Sequence, residues 1–282
     1  MKKIIILLIC AILLCGCGNG NMVKSQKTTQ NNEQKYTSEL FAMDTYMTVT
    51  AYGKGATEAV DQAADEISRL DQLLSTGNED SEIYKINQSG DGILSEETAY
   101  LVERSLDLYE ATDGAFDIAI YPVMKAWGFT DDNFRVPGAD ELKDLLTLTD
   151  ASDISYDKET SQIAFKKDGM QIDFGGIAKG YTSARIMDIF RACGIKSGLV
   201  NLGGNVQALG TKKDGSSWRV AVQDPQDTDQ YLRVLSIQDK AVITSGGYER
   251  YFEQDGRTYH HIIDPKTGYP VENGLISVSI VT

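Results

Sequence analysis

Ile172-Asp173-Phe174-Gly175-Gly176-Ile177-Ala178-Lys179-Gly180-Tyr181 reads as the end of a strand, a glycine pair and the start of a helix. The strand is predicted from Met170 to Phe174, after an Asp168-Gly169 turn. The helix is predicted from Ala178 to Cys193, with Gly194 ending it. Glycines at such a junction let backbone groups approach a ligand, and a helix N-terminus attracts phosphate. The spacing is not GxGxxG and no βαβ unit follows, so the segment is not a dinucleotide-binding fingerprint. A strand-to-helix glycine turn is common, and alone it reads as structural.

Working outward, Ile154 to Tyr156 and Gln162 to Lys166 form a predicted hairpin. Short strands follow the helix at Gly198 to Asn201, Asn205 to Gly210, Trp218 to Val222, Leu232 to Ile237, Ala241 to Thr244 and Ile276 to Val281. Asp255-Gly256 marks a further hairpin. Before Pro137 the texture differs. Leu40 to Tyr52 suggests one first strand, and Ala59, Val60, Ala63, Ala64, Ile67, Leu70, Leu73 and Leu74 follow helical spacing. A second helix starts after Ser95, a plausible N-cap with Glu96 and Glu97 in the first turn. Early helices and a late, mostly antiparallel sheet make the fold α+β.

The first residues carry a different message. Lys2 and Lys3 precede an apolar run from Ile4 to Leu14, too short to span a bilayer and suited to a secretory signal. Leu14-Cys15-Gly16-Cys17 resembles a lipobox, with Cys17 as the acceptor because the small Gly16 precedes it. The alternative is an ordinary cleaved signal with incidental cysteines. Residues 1–17 are therefore expected to be a lipoprotein signal and 18–38 a polar, flexible tether, leaving 39–282 as one domain. The expected location is the outer face of the cytoplasmic membrane, anchored by lipid. The 282-residue chain carries a net charge of −14, which argues against nucleic acid as a partner. With Cys10 and Cys15 in the signal and Cys17 lipidated, Cys193 is left alone in the fold, so no internal disulfide framework is expected.

His260-His261-Ile262-Ile263-Asp264-Pro265-Lys266-Thr267-Gly268 holds both histidines of the chain. The last five residues suit a β-turn. Strand alternation would turn the two rings to opposite faces, so one at most serves a site. With no cysteine partner, zinc is not expected there. Asp113 to Asp117, Asn201 to Asn205 and Thr244 to Tyr248 are further glycine-bearing turns, each by itself no more than a turn.

In order, these pieces resemble the FAD:protein FMN transferases, the ApbE-type flavin transferases. The matching series is Met43 to Tyr46, Ser75-Thr76 with Ser81-Glu82, Gly114 to Asp117, Trp127 to Phe129, Asp173 to Tyr181, Asn201 to Asn205, Thr244 to Arg250 and His261 to Gly268. The resemblance implies an enzyme with the flavin transferase fold that uses FAD as substrate and Mg²⁺ as cofactor. It would move FMN to a Ser or Thr hydroxyl of a partner protein, typically a subunit of a membrane redox complex, and release AMP. Met43, Ala115, Phe116, Asp117, Asp173, Lys179 and Ile263 would line the FAD site, and the Gly176 carbonyl would bind the metal. His261 is the candidate base for the acceptor hydroxyl, because imidazole titrates near neutrality. Asp264 is the alternative base, or the group that orients the ring.

Two positions depart from the family pattern. Gly77 stands where many members carry Tyr, and Gly247 where an acid often follows Thr-Ser-Gly. The family strand resembling Ile276 to Val281 leads into a helix whose acid and threonine bind metal. Since Val281-Thr282 ends without turn or cap, the domain is expected to lack its C-terminal part and to bind Mg²⁺ poorly. Competing expectations are an FAD pyrophosphatase giving FMN and AMP, a non-catalytic ligand-binding lipoprotein, and a silent flavin-binding module.

Overall fold

Alternating apolar residues at the start of the domain pair as a hairpin. In the computed structural model, which describes residues 34–282, β1 (Lys35–Ala42) and β2 (Thr45–Tyr52) are antiparallel neighbours. The single strand expected over 40–52 is thus bent at Met43 and Asp44, whose φ values of 48° and 58° suit a tight hairpin turn. Strand β1 also takes residues 35–38 out of the expected tether. The predicted signal, Cys17 and the rest of the tether to residue 33 lie outside the described residues.

Six helices and eleven more strands follow. First come α1 (Ala56–Leu74), α2 (Glu82–Ser89), β3 (Asp91–Ile93) and α3 (Glu96–Ala111). Next are α4 (Tyr121–Trp127), α5 (Ala139–Leu146), β4 (Ile154–Asp157), β5 (Gln162–Phe165) and α6 (Ala178–Ala192). The late strands are β6 (Ser197–Leu202), β7 (Asn205–Leu209), β8 (Trp218–Asp224), β9 (Asp227–Ile237) and β10 (Ala241–Gly246). The last three are β11 (Tyr251–Gln254), β12 (Arg257–His260) and β13 (Ser277–Val281).

The main sheet has the order β1-β2-β6-β7-β10-β13, and every neighbouring pair in it is antiparallel. Its inner face offers Leu40, Met47, Val49, Val200 and Leu202 to the apolar stripe of α1 (Ala59, Val60, Ala63, Ile67) and to Ile186 and Phe190 of α6. Gly198 lies directly beneath Phe190, and a Cβ there would sit 2.6 Å from the ring. The β8–β9 hairpin covers part of the opposite face through Trp218, Val220 and Ile237, packed near Tyr52 and Leu199.

A second core joins α2, α3 and the small β3-β5-β4 sheet through Ile83, Leu101, Val102, Ile163 and Ile172. Ser95 caps α3 as expected, accepting from the Thr98 N–H. The segment 170–174 is a correction, because it forms no strand and joins no sheet. Its backbone is paired by a side chain. Asn87 Oδ1 accepts from the Ile172 N–H at 2.7 Å, and Asn87 Nδ2 donates to the Ile172 carbonyl at 2.8 Å. The Asp173 N–H then donates to the Ile118 carbonyl at 2.9 Å. Among the described residues no helix is long and apolar enough to cross a membrane.

Candidate active site

The site is built from three turns, the glycine motif among them. The first is Met43-Asp44, whose left-handed backbone is pinned where the Met43 N–H donates to Asp71 Oδ1 at 2.9 Å. The second is Gly203-Gly204, both with positive φ; a Cβ on Gly203 would sit 2.4 Å from Thr45 Oγ1, so the two turns touch. The third is Gly175-Gly176, where the Gly175 N–H donates to Asp173 Oδ1 at 2.6 Å. A Cβ on Gly176 would lie 2.9 Å from the Phe116 ring, so only glycine lets that ring close over the turn.

Charges gather here. Burial pushes the Asp173 carboxyl up; the Gly175 N–H, Lys179 and Arg250 pull against that, and Asp44 adds to it. Burial lowers Lys179, at the start of α6, and Arg250 pushes the same way, with Glu249, Asp173 and Asp44 opposing. Burial likewise raises Glu249, against Lys179. Two cations and several acids thus face one another across half-buried ground, in a chain that is otherwise strongly acidic. Lys179, near the N-terminus of α6, is the group here suited to hold a phosphate oxygen.

The two histidines separate cleanly. His260 has both nitrogens engaged: Nδ1 accepts from the Ile262 N–H at 3.2 Å, and Nε2 meets the Val271 carbonyl at 3.1 Å. His261 Nδ1 meets the Arg250 carbonyl at 3.1 Å. A carbonyl only accepts, so Nδ1 carries the proton and the Nε2 lone pair is left to work. Burial lowers His261 to about 4, with the Arg250 charge pushing the same way and the bond to the Arg250 carbonyl opposing. The ring is therefore neutral at physiological pH and able to take a proton.

The remaining expected residues are Ala115, Phe116, Asp117, Ile263 and Asp264. Phe116 is half-buried and Ala115 exposed, after a turn in which the Phe116 N–H donates to Thr112 Oγ1 at 3.0 Å. Asp117 is buried, and its carboxylate accepts from the Ala119 N–H at 2.7 Å and the Ala151 N–H at 3.2 Å, so it holds this loop in place. Ile263 packs with Val123, Trp127, Phe129 and Leu142. Asp264 does not orient the histidine, a role the Arg250 carbonyl fills. Asp264 Oδ1 accepts from the Lys266 N–H at 2.8 Å and its carbonyl from the Gly268 N–H at 2.8 Å, closing its own turn. That turn is tied to the Trp127-Gly128-Phe129 motif where Trp127 Nε1 donates to the Gly268 carbonyl at 2.8 Å.

The departures at Gly77 and Gly247 now differ in kind. A Cβ at Gly77 would meet open space, whereas at Gly247 it would come within 2.7 Å of the His260 ring. A side chain at 247 would displace the histidine that holds the hairpin, so glycine fits this chain's own packing. Asn87, Asp71 and Arg250 escaped the sequence reading as site-forming residues. Only Arg250 had a signal, lying at the end of a matched motif.

Residues 43–282 match the family model described as "ApbE family". The chain belongs to the ApbE family. An FAD:protein FMN transferase of Klebsiella pneumoniae is 34% identical over 77% of this chain and 68% of its own length. One from Treponema pallidum is 34% identical over 95% of this chain and 78% of its own. The crystal structure of the ApbE protein of Thermotoga maritima superposes with a TM-score of 0.84 at 33% identity, covering 88% of this chain and 82% of that one. The α+β architecture expected from the sequence is therefore that of the ApbE flavin transferases.

Proposed function

We propose that this chain is an FAD:protein FMN transferase that moves FMN from FAD to a Ser or Thr hydroxyl of another protein. The observation that carries the reading is the neutral His261 ring, held through Nδ1 by the Arg250 carbonyl with Nε2 left to accept a proton, close enough to Lys179 to feel its charge. Names borne by the Klebsiella and Treponema relatives support the reaction class.

In the reaction, the acceptor oxygen attacks the phosphorus of the FMN half, and His261 Nε2 takes the hydroxyl proton. The bond from that phosphorus to the bridging oxygen breaks, and AMP leaves with its electron pair. Positioning and offset of negative charge supply most of the catalysis in phosphoryl-type transfer. Lys179 would hold a pyrophosphate oxygen, while the Phe116 ring flanks the glycine turn and Met43 lies against Thr182 of α6. Mg²⁺ suits hard oxygen donors and keeps waters and phosphate oxygens as ligands. The exposed Gly176 carbonyl is such a donor; among the described residues no three His, Cys, Asp or Glu side chains form a metal cluster. When bound, the ion would offset pyrophosphate charge.

We propose also that the protein is exported and held by lipid on Cys17 at the outer face of the cytoplasmic membrane. Its acceptor would be a subunit of a membrane redox complex. The signal-like residues 1–17 support this placement.

The test incubates the full chain with FAD, Mg²⁺ and a candidate acceptor subunit, with and without EDTA, and reads the acceptor's intact mass. An EDTA-sensitive gain equal to FMN is expected. Free FMN and AMP without a mass gain would point to hydrolysis, and unchanged FAD would sink the enzymatic reading.

A further inference from the structure

Arg250 joins three motifs that are far apart in sequence. Its carbonyl accepts from the His261 N–H at 3.1 Å and also meets His261 Nδ1 at 3.1 Å. Its guanidinium reaches the other way, Nη2 donating to the Phe129 carbonyl at 2.5 Å. Phe129 in turn presents its ring to His261, with centroids 6.4 Å apart and planes at 67°. Histidine, aromatic wall and arginine thus close a ring of contacts. Gly128 allows the Phe129 carbonyl to sit there, since it has φ 79° and a Cβ on it would strike the Asn133 carbonyl at 2.2 Å.

We infer that Arg250 is the positioning residue of the transfer site, clamping its own backbone through Phe129 so that His261 keeps one tautomer with Nε2 free and unprotonated. The inference rests on the transferase reading only for what His261 then does.

Two features of the side chain do this work. Its hydrogen bond to Phe129 fixes the segment before β11 whose carbonyl orients the imidazole. Its fixed positive charge, always present on a guanidinium, opposes a second positive charge on the ring. The charged and titratable groups that face His261 are Arg250, Lys179 on α6 and the neighbouring His260. All three disfavour the imidazolium, and Arg250 is the first of these charges in strength, after burial.

The chain has two histidines, so nitrogen NMR of the imidazoles reads each one directly. They have opposite tautomers: Nε2–H for His260, whose Nδ1 accepts, and Nδ1–H for His261. The experiment titrates both rings in the wild type, Arg250→Gln and Arg250→Lys, and follows FMN transfer over the same pH range. In Arg250→Gln the His261 midpoint is expected to rise by about one pH unit, the low end of what a neighbouring charge contributes. The acid limb of the transfer rate should rise with it. Arg250→Lys keeps the charge and should leave the midpoint near that of the wild type. An unchanged His260 tautomer reports that the hairpin is still folded. A His261 midpoint and tautomer in Arg250→Gln identical to wild type would overturn the inference. If the wild type transfers no FMN, the transferase reading fails while the titration still decides the role of Arg250.

Discussion

Replacing Asn87 by Ala removes the partners of both backbone polar groups of one buried residue, Ile172. Ile172 has no exposed surface, and its N–H and carbonyl are held by Asn87 at 2.7 and 2.8 Å. A buried backbone group left unpaired costs about 1–3 kcal/mol. Two such groups give an expected loss of about 2–6 kcal/mol, a large share of the stability of a typical domain. Asn87→Asp keeps the acceptor for the N–H but loses the donor and sets a carboxylate against a carbonyl, so it should also destabilise. Urea unfolding followed by circular dichroism measures both, with the m-value checked for constancy. The segment also carries Asp173, so each variant should transfer FMN more slowly even where it remains folded. A loss below about 0.5 kcal/mol for Asn87→Ala at unchanged m-value would refute the claim that this side chain stands in for a strand partner.

Two further outcomes follow from single residues. Gly198→Ala pushes a methyl to 2.6 Å from the Phe190 ring and 3.3 Å from the Thr50 carbonyl, and should cost about 1–3 kcal/mol in thermal or urea unfolding. His261 sits at about 4 when folded, below its ordinary value near 6.5, so the folded state binds fewer protons than the unfolded chain between these limits. Stability is therefore lost as pH falls from about 6.5 to about 4 and levels off below. The loss amounts to about 3 kcal/mol, and His261→Gln should abolish that part of the acid sensitivity. Identical pH profiles for the two proteins would count against the half-buried neutral ring.

Sequence pattern was enough wherever a local rule decided the backbone. Asp255-Gly256 takes positive φ at both residues, as its hairpin turn requires, and Gly194 closes α6 with φ 74°. The pattern failed where a distant side chain decided. Met43 is no turn former, and the bend after β1 depends on Asp71 from α1. Segment 170–174 alternates like a strand, yet its hydrogen bonds go to Asn87 on α2. Helix α4 begins with Pro122 in its first turn, a start signal that apolar periodicity does not carry. The candidate site residues rest on the order of the motifs, because each turn by itself is ordinary. The working difference between His260 and His261 lies in which carbonyls surround each ring, and adjacent identical residues carry no mark of that.

The most direct test of the account compares the wild-type chain with His261→Asn under single-turnover conditions, using FAD and an acceptor protein read by intact mass. The acceptor should gain the mass of FMN with the wild type, and the variant should transfer about 10² to 10⁴ times more slowly, the usual contribution of a general base. Transfer by His261→Asn at the wild-type rate would contradict the assignment of the proton to His261 Nε2.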